Sequence, residues 1–225
     1  LDDTVALRLN AMKTDAGSSR DHVGSKREGF APTLRFGMGT GNEITLAHYY
    51  LKTHNTLDYG VPFFNHKPLD VPASRFYGTT ADYEDNTTHI TTLTYRHSTS
   101  DDSEIKTVLR HADYTRDLWG VAPRLPSGTT VITDNTAINR TRQARGGHEA
   151  TWTSQTDYTR KFDTGPLRHE TLVGLELLQE RAGRWTYGAG VAATPATTVG
   201  APNASPALPA GYGSQVRSAI NRYQG

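Results

Sequence analysis

The sequence predicts an all-β fold, an antiparallel up-and-down sheet of the kind that forms a transmembrane β-barrel. Three observations predict it. Apolar and polar residues alternate along most of the chain, short and long connections alternate between those stretches, and the apolar content is low for the length. Only 35% of the 225 residues are hydrophobic and the mean hydropathy is −0.60. A soluble chain of this length must bury a three-dimensional core. A barrel wall needs less, because lipid covers its apolar face while water or a plug meets its polar one.

The strands follow in order. In Thr4–Lys13, Val5, Leu7, Leu9 and Ala11 share one face, with Arg8 and Asn10 on the other. In Thr33–Met38, Leu34, Phe36 and Met38 oppose Thr33, Arg35 and Gly37. Ile44 and Leu46 begin a strand that runs through Tyr49, Tyr50 and Lys52. His89–His97 sets Leu93 and Tyr95 against Thr92, Thr94 and Arg96, and Ile105, Thr107 and Leu109 alternate with Lys106, Val108 and Arg110. Trp152, Tyr158 and Phe162 share a parity within His148–Phe162, and Val173, Leu175 and Leu177 oppose Gly174 and Glu176. A period of two with unlike faces is the mark of a half-buried strand, which makes about seven strands here.

The connections carry more information than the strands. Gly39–Asn42, Ser100–Ser103 and Asp163–Leu167 are short and rich in Gly, Asn, Asp and Ser, as tight hairpins require. Thr14–Gly29, Asn55–Thr87, Asp117–Gly147 and the tail from Ala189 are read as long loops. Compact soluble domains seldom hold several long loops, whereas outer-membrane barrels have short turns on one rim and long loops on the other. The Pro-, Ala- and Thr-rich stretch Ala192–Ala210 reads either as a linker or as a surface loop before a further strand.

Several functions are disfavoured. A net charge of +1 gives no electrostatic reason to expect nucleic acid as partner. With no cysteine, a thiol nucleophile, a disulfide framework and a thiolate zinc site are all excluded. No apolar run is long enough for a transmembrane helix. The nine histidines form no convincing metal spacing and read as hydrogen-bonding side chains. Asp82, Glu84 and Asp85 lack the Gly and distal Glu of a calcium loop, so they read as a solvated acidic segment. Gly37–Gly41 joins two strands, with no helix to receive a phosphate, and reads as a turn. No nucleophile–base or paired-carboxylate spacing argues for an enzyme, and no cofactor is expected.

Three stretches carry a family resemblance: LDDTVALRLNAMKTDAG, KREGFAPTLRFGMGTGNEITLAHYYLKTHNTLDYGVPF and RFYGTTADYEDNTTHITTLTYRH. They resemble the early barrel strands of TonB-dependent siderophore receptors, nearest the catecholate-type branch. The likeness covers residues 1–120, weakens across 121–146, and returns in TDYTRKFDTGPLRHETLVGLELLQER, which resembles a later hairpin of such a barrel. The resemblance implies a plugged barrel of about 22 strands in the outer membrane of a Gram-negative bacterium. It implies import of a ferric siderophore, with energy delivered by an inner-membrane TonB complex acting on the plug. Iron would be cargo. Residues 1–225 are then expected to be a partial barrel domain, with 189–225 a long extracellular loop or linker. The signal peptide, the plug and the closing C-terminal strands are expected outside this stretch, which would not transport alone.

A ferric siderophore calls for aromatic faces and Arg or Tyr donors on loops above a lumen. The first long loop offers Tyr59, Phe63, Phe64, His66, Arg75 and Tyr77; the second offers Arg116 and Trp119. Packing of these aromatics between loops, or a place in an interfacial girdle, is the competing expectation. Two other functions stay open at this level. A passive porin-like channel would lack a plug, and a soluble or surface β-rich binding module would have short loops at both ends.

Overall fold

The computed structural model describes residues 3–187, 192–213 and 217–225, with backbone alone for 217–221. No helix occurs among them; they form an antiparallel sheet of eleven strands and a separate two-stranded hairpin. The first two long strands are each interrupted: β1 (Val5–Arg8) continues as β2 (Ala11–Gly17), and β3 (Gly24–Phe30) as β4 (Thr33–Phe36). Pro32 explains the break, since it has no N–H for the ladder. Asn10 spans the gap, its backbone oxygen accepting from Ala31 N at 2.8 Å and its Nδ2 donating to Ala31 O at 3.1 Å. The sheet then meanders through β5 (Asn42–Asn55), β8 (Tyr83–Ser100), β9 (Ser103–Arg124), β10 (Ala137–Thr164) and β11 (Leu167–Tyr187) to β13 (Arg217–Gln224). The small hairpin is β6 (Phe63–Phe64) with β7 (Lys67–Pro68), and β12 (Thr194–Thr198) adds to the far end of β10.

Register decides which side chains share a face. One cross-strand row reads Val5, Phe36, Ile44, Tyr95, Thr107, Thr156, Leu175. The next reads Leu7, Leu34, Leu46, Leu93, Leu109, Ser154, Leu177. These rows form an exposed apolar band, with Leu175 and Leu177 64% and 62% accessible. Its polar members are accommodated: the hydroxyls of Thr107 and Thr156 bond each other at 3.0 Å. One row nearer the long loops stand His48, Thr91, His111 and Trp152, with the His111 and Trp152 rings 4.4 Å apart. This is the aromatic girdle expected where lipid meets water.

The opposite face is polar. Its rows run Ala6, Arg35, Thr45, Thr94, Val108, Gln155, Glu176 and Glu43, Arg96, Lys106, Asp157, Gly174. Glu43 pairs with Arg35, and Arg96 reaches Glu43 at 3.9 Å and Glu104 at 3.3 Å. Such charges are unsuited to lipid and suit a water-filled interior.

The connections sort by rim. Residues 37–41, 101–102 and 165–166 turn the chain at one end; 18–23, 56–82, 125–136 and 192–213 lie at the other. Gly165, at φ 59°, opens the two-residue turn with Pro166. At Gly37, φ 72°, a Cβ would stand 2.0 Å from Asn42 O, so only glycine closes that turn. Two of the expected long loops are shorter than the sequence suggests. β2 and β3 extend through most of Thr14–Gly29, and β9 and β10 through most of Asp117–Gly147. In β2 every residue is exposed, and charged residues alternate with other exposed ones, so no apolar period marks it.

The register yields a test. In the full-length protein, Leu175→Arg places a charge in the apolar band and is expected to cost ~2–4 kcal/mol of folding free energy near the bilayer midplane. Glu176→Arg, on the polar face, should cost far less. Denaturant titration of both variants in lipid vesicles reads the difference, and equal costs would mean the faces are inverted.

Candidate ligand-binding surface

Three of the long connections fold into a cap with its own small core. Leu69, Tyr77, Ile138 and Val199 are buried together, with Val61, Phe64, Leu125 and Ile132 packed around them. Two buried charges join the segments. Arg140, 5% exposed, donates to the carbonyls of Tyr77 and Gly78 at 2.9 Å, to Pro195 at 3.3 Å and to Asn203. Burial lowers the pKa of this guanidinium, with the charge of Asp82 opposing the shift. Asp82 accepts from Thr79 N at 3.0 Å, Thr79 Oγ1 at 2.5 Å, Val121 N at 3.2 Å and the Tyr212 hydroxyl at 2.5 Å. Burial pushes its carboxyl above the usual range against the pull of those donors. A buried charge held by several hydrogen bonds ties its partners to one arrangement.

The structure divides the residues singled out in the sequence. Tyr77 is 0% exposed and its hydroxyl donates to Val199 O at 2.9 Å. Arg75 donates to the same carbonyl at 2.8 Å, and Phe64 packs against the core. Trp119 is also 0% exposed, held edge-on between Tyr187 at 5.2 Å and Tyr212 at 5.5 Å. These four side chains build the cap. Tyr59, Phe63 and His66 stay exposed; Phe63 is 66% accessible beside the tight turn Asn65–His66, both at positive φ. Arg116 and Trp119 lie on β9, not on a loop, and their opposite parities put them on opposite faces. Arg116 shares the polar face with Arg110 and Lys106, whereas Trp119 shares the parity of Leu109.

Arg116 belongs to a polar wall that the sequence did not reveal. In register it flanks Gly147, whose other neighbour is Arg184, and Arg145 lies two positions along β10 on the same face. Gly147 is required there, since a Cβ would sit 2.8 Å from Gly183 O. Arg116 pairs with Glu84 at 2.5 Å, and Tyr114 receives a hydrogen bond from Arg110 at 3.2 Å. A cavity of about 610 Å³ opens on this wall, lined among others by Asn86, Thr88, Tyr114, Arg116, Arg145 and Arg184. Arg145 and Arg184 are exposed. Arg145 escapes a sequence reading because 137–147 has no apolar period, and Arg184 because it lies past the alternating stretch Val173–Leu177 that marks its strand. Chemically the wall offers guanidinium forks and hydroxyls to an oxygen-rich anion. No group of three or more His, Asp or Glu suited to a metal ion occurs among the described residues.

No family model matches the chain. It is 32% identical over 226 residues to the catecholate siderophore receptor Fiu of Escherichia coli K12, covering 90% of this chain and 29% of that receptor. It is 30% identical to the probable TonB-dependent siderophore receptor PiuA of Acinetobacter baumannii, over 72% of this chain and 22% of that one. The closed crystal form of the ferric-catecholate import receptor Fiu superposes with a TM-score of 0.79 at 29% identity, over 91% of this chain and 31% of that chain. The chain belongs to the barrel wall of the TonB-dependent siderophore receptor family. The ferripyoverdine receptor of the Pseudomonas aeruginosa outer membrane has the same fold, with a TM-score of 0.82 at 18% identity. The chain thus spans about 29% of the length of the curated receptor it matches over most of its own length. As barrel wall of this family it resides in the outer membrane of a Gram-negative bacterium, and its relatives are receptors, not enzymes.

The division of residues has a measurable consequence. Trp119→Ala empties a packed space and is expected to cost the cap ~3–5 kcal/mol, whereas Arg116→Ala leaves the cap intact. Hydrogen exchange of residues 192–213 in the full-length receptor should accelerate in the first variant alone.

Proposed function

We propose that the receptor containing this wall binds a ferric siderophore on its long-loop side and imports it by TonB-dependent, energy-coupled transport. Iron travels as the ligand's cargo, and energy reaches a plug from the inner-membrane TonB complex. The observation that carries the reading is the triplet Arg116, Arg145 and Arg184 on the polar face, lining one cavity. The kinship with receptors of ferric catecholates supports it. A ferric catecholate is a compact anion with oxygen atoms and flat rings. Guanidinium forks match the oxygens, and the exposed Tyr59, Phe63 and His66 offer rings for a first encounter. Phe64, Arg75, Tyr77 and Trp119 contribute by holding the cap that presents those groups.

Charge, then, is expected to govern affinity. Removing one charge-assisted contact costs ~1.5–3 kcal/mol, so Arg145→Ala with Arg184→Ala should weaken binding of a ferric catecholate by roughly a hundredfold or more, with added salt weakening the wild type. Titration of the purified full-length receptor, paired with iron uptake in cells, checks this. Unchanged affinity in the double variant would remove the wall from the site. Steady ion conductance by the wild type without an energised inner membrane would favour a passive channel.

A further inference from the structure

The polar wall is not uniformly cationic. On the wall face of β10, Arg145, Gly147 and Glu149 follow one another at every second position. The register completes the rows: Arg116, Gly147 and Arg184 in one, then Tyr114, Glu149, Ala182 and Tyr223 in the next. One row further from the cap, Glu180 stands opposite Thr151. Arg145, Arg184, Glu149 and Glu180 are exposed, and none of the four makes an ion pair among the described residues. Arg116 differs, since Glu84 offsets it at 2.5 Å. The charge facing the cavity therefore changes sign along the strand, positive toward the cap and negative toward the girdle.

Glu149 is the turning point. It lies diagonal to both Arg116 and Arg184, a relation that spans about 7–8 Å across a sheet. While the cavity holds water, each of these charges is solvated and screened from the others. A ligand that fills the 610 Å³ displaces that water, and each charge then acts on the ligand through a lower dielectric. A wholly anionic ligand gains from Arg145 and Arg184 and loses against Glu149. A ligand with anionic oxygens at one end and a cation at the other gains from both rows. Tyr114 and Tyr223 border the cavity and offer rings, while Gly147 and Ala182 leave room for a body between the charged side chains.

We propose that Glu149 sets the specificity of this site, favouring ferric catecholates that carry a protonated amine beside their iron-binding oxygens over wholly anionic ones. The proposal rests on the siderophore reading above. The oxygens lie against the arginine row and the ammonium group against Glu149. The probes are the ferric complexes of dopamine and of N-acetyldopamine, which share the catechol and differ in the charge of the amine. Both are titrated at neutral pH into the purified full-length receptor. The wild type should bind the dopamine complex roughly tenfold more tightly, and added salt should shrink that preference. Glu149→Gln should weaken the dopamine complex and strengthen the acetylated one, bringing the two affinities together. A merely structural role would move both in the same direction. Glu149→Asp, which keeps the charge, should keep the preference. Equal binding of the two complexes by the wild type, or a preference that survives Glu149→Gln, would overturn the proposal and leave siderophore binding standing. Failure of the wild type to bind any ferric catecholate would overturn the siderophore reading and this proposal with it.

Discussion

The constraint on which the rest depends is that backbone N–H and C=O groups in hydrocarbon must find partners in the protein itself. The chain meets it with one antiparallel ladder from β1 to β13, in which β9 and β10 pair without a break from Ser103–Arg160 to Arg124–Asn139. Once the register is set, alternation assigns every side chain to lipid or to the interior. A slip of one residue would put Glu176 and Asp157 in lipid and Leu175 and Leu177 in water, so the apolar rows and the ladder fix each other. The tight turns at Gly37 and Gly165 set the starting point of each pair.

Beyond the girdle the same ladder continues, but the forces that fill its faces change. The sheet there has no lipid against it, and its side chains serve either the polar wall or the cap. The wall keeps its cations apart with small residues: Gly147 separates Arg116 from Arg184, so two guanidinium groups flank bare backbone. The cap has a core too small to hold three connections by apolar burial alone. Arg140 and Asp82 supply what is missing, each satisfying polar groups from segments far apart in sequence. Trp119 stands at their junction, with its ring packed and its N–H directed to neither network.

The band was legible in the sequence because lipid imposes a period of two on side chains of unlike character. Val173, Leu175 and Leu177 opposite Gly174 and Glu176 announce both strand and face. β2 past Lys13 was not legible, since charges alternate there with other exposed residues and leave no contrast for periodicity to report. Nor were the ends of β9 and β10, where aromatic and charged residues had suggested a binding loop. The candidate site was legible only in part: Tyr77 and Trp119 are packed inside the cap, and Arg145 and Arg184 line the wall without a signal in the sequence.

By itself, then, the sequence determined the strands in lipid, their faces and their tight turns. Those properties arise from neighbours within a few residues and from an environment that is the same at every position along the band. Only the tertiary structure decided which aromatics face solvent, which arginines converge and which charges are buried. Arg116 and Arg184 meet because three strands lie in one register, and Tyr77 meets Val199 because the cap closes. Contacts between residues so far apart in the chain leave no periodic trace, because each depends on where the whole sheet places its edges and loops.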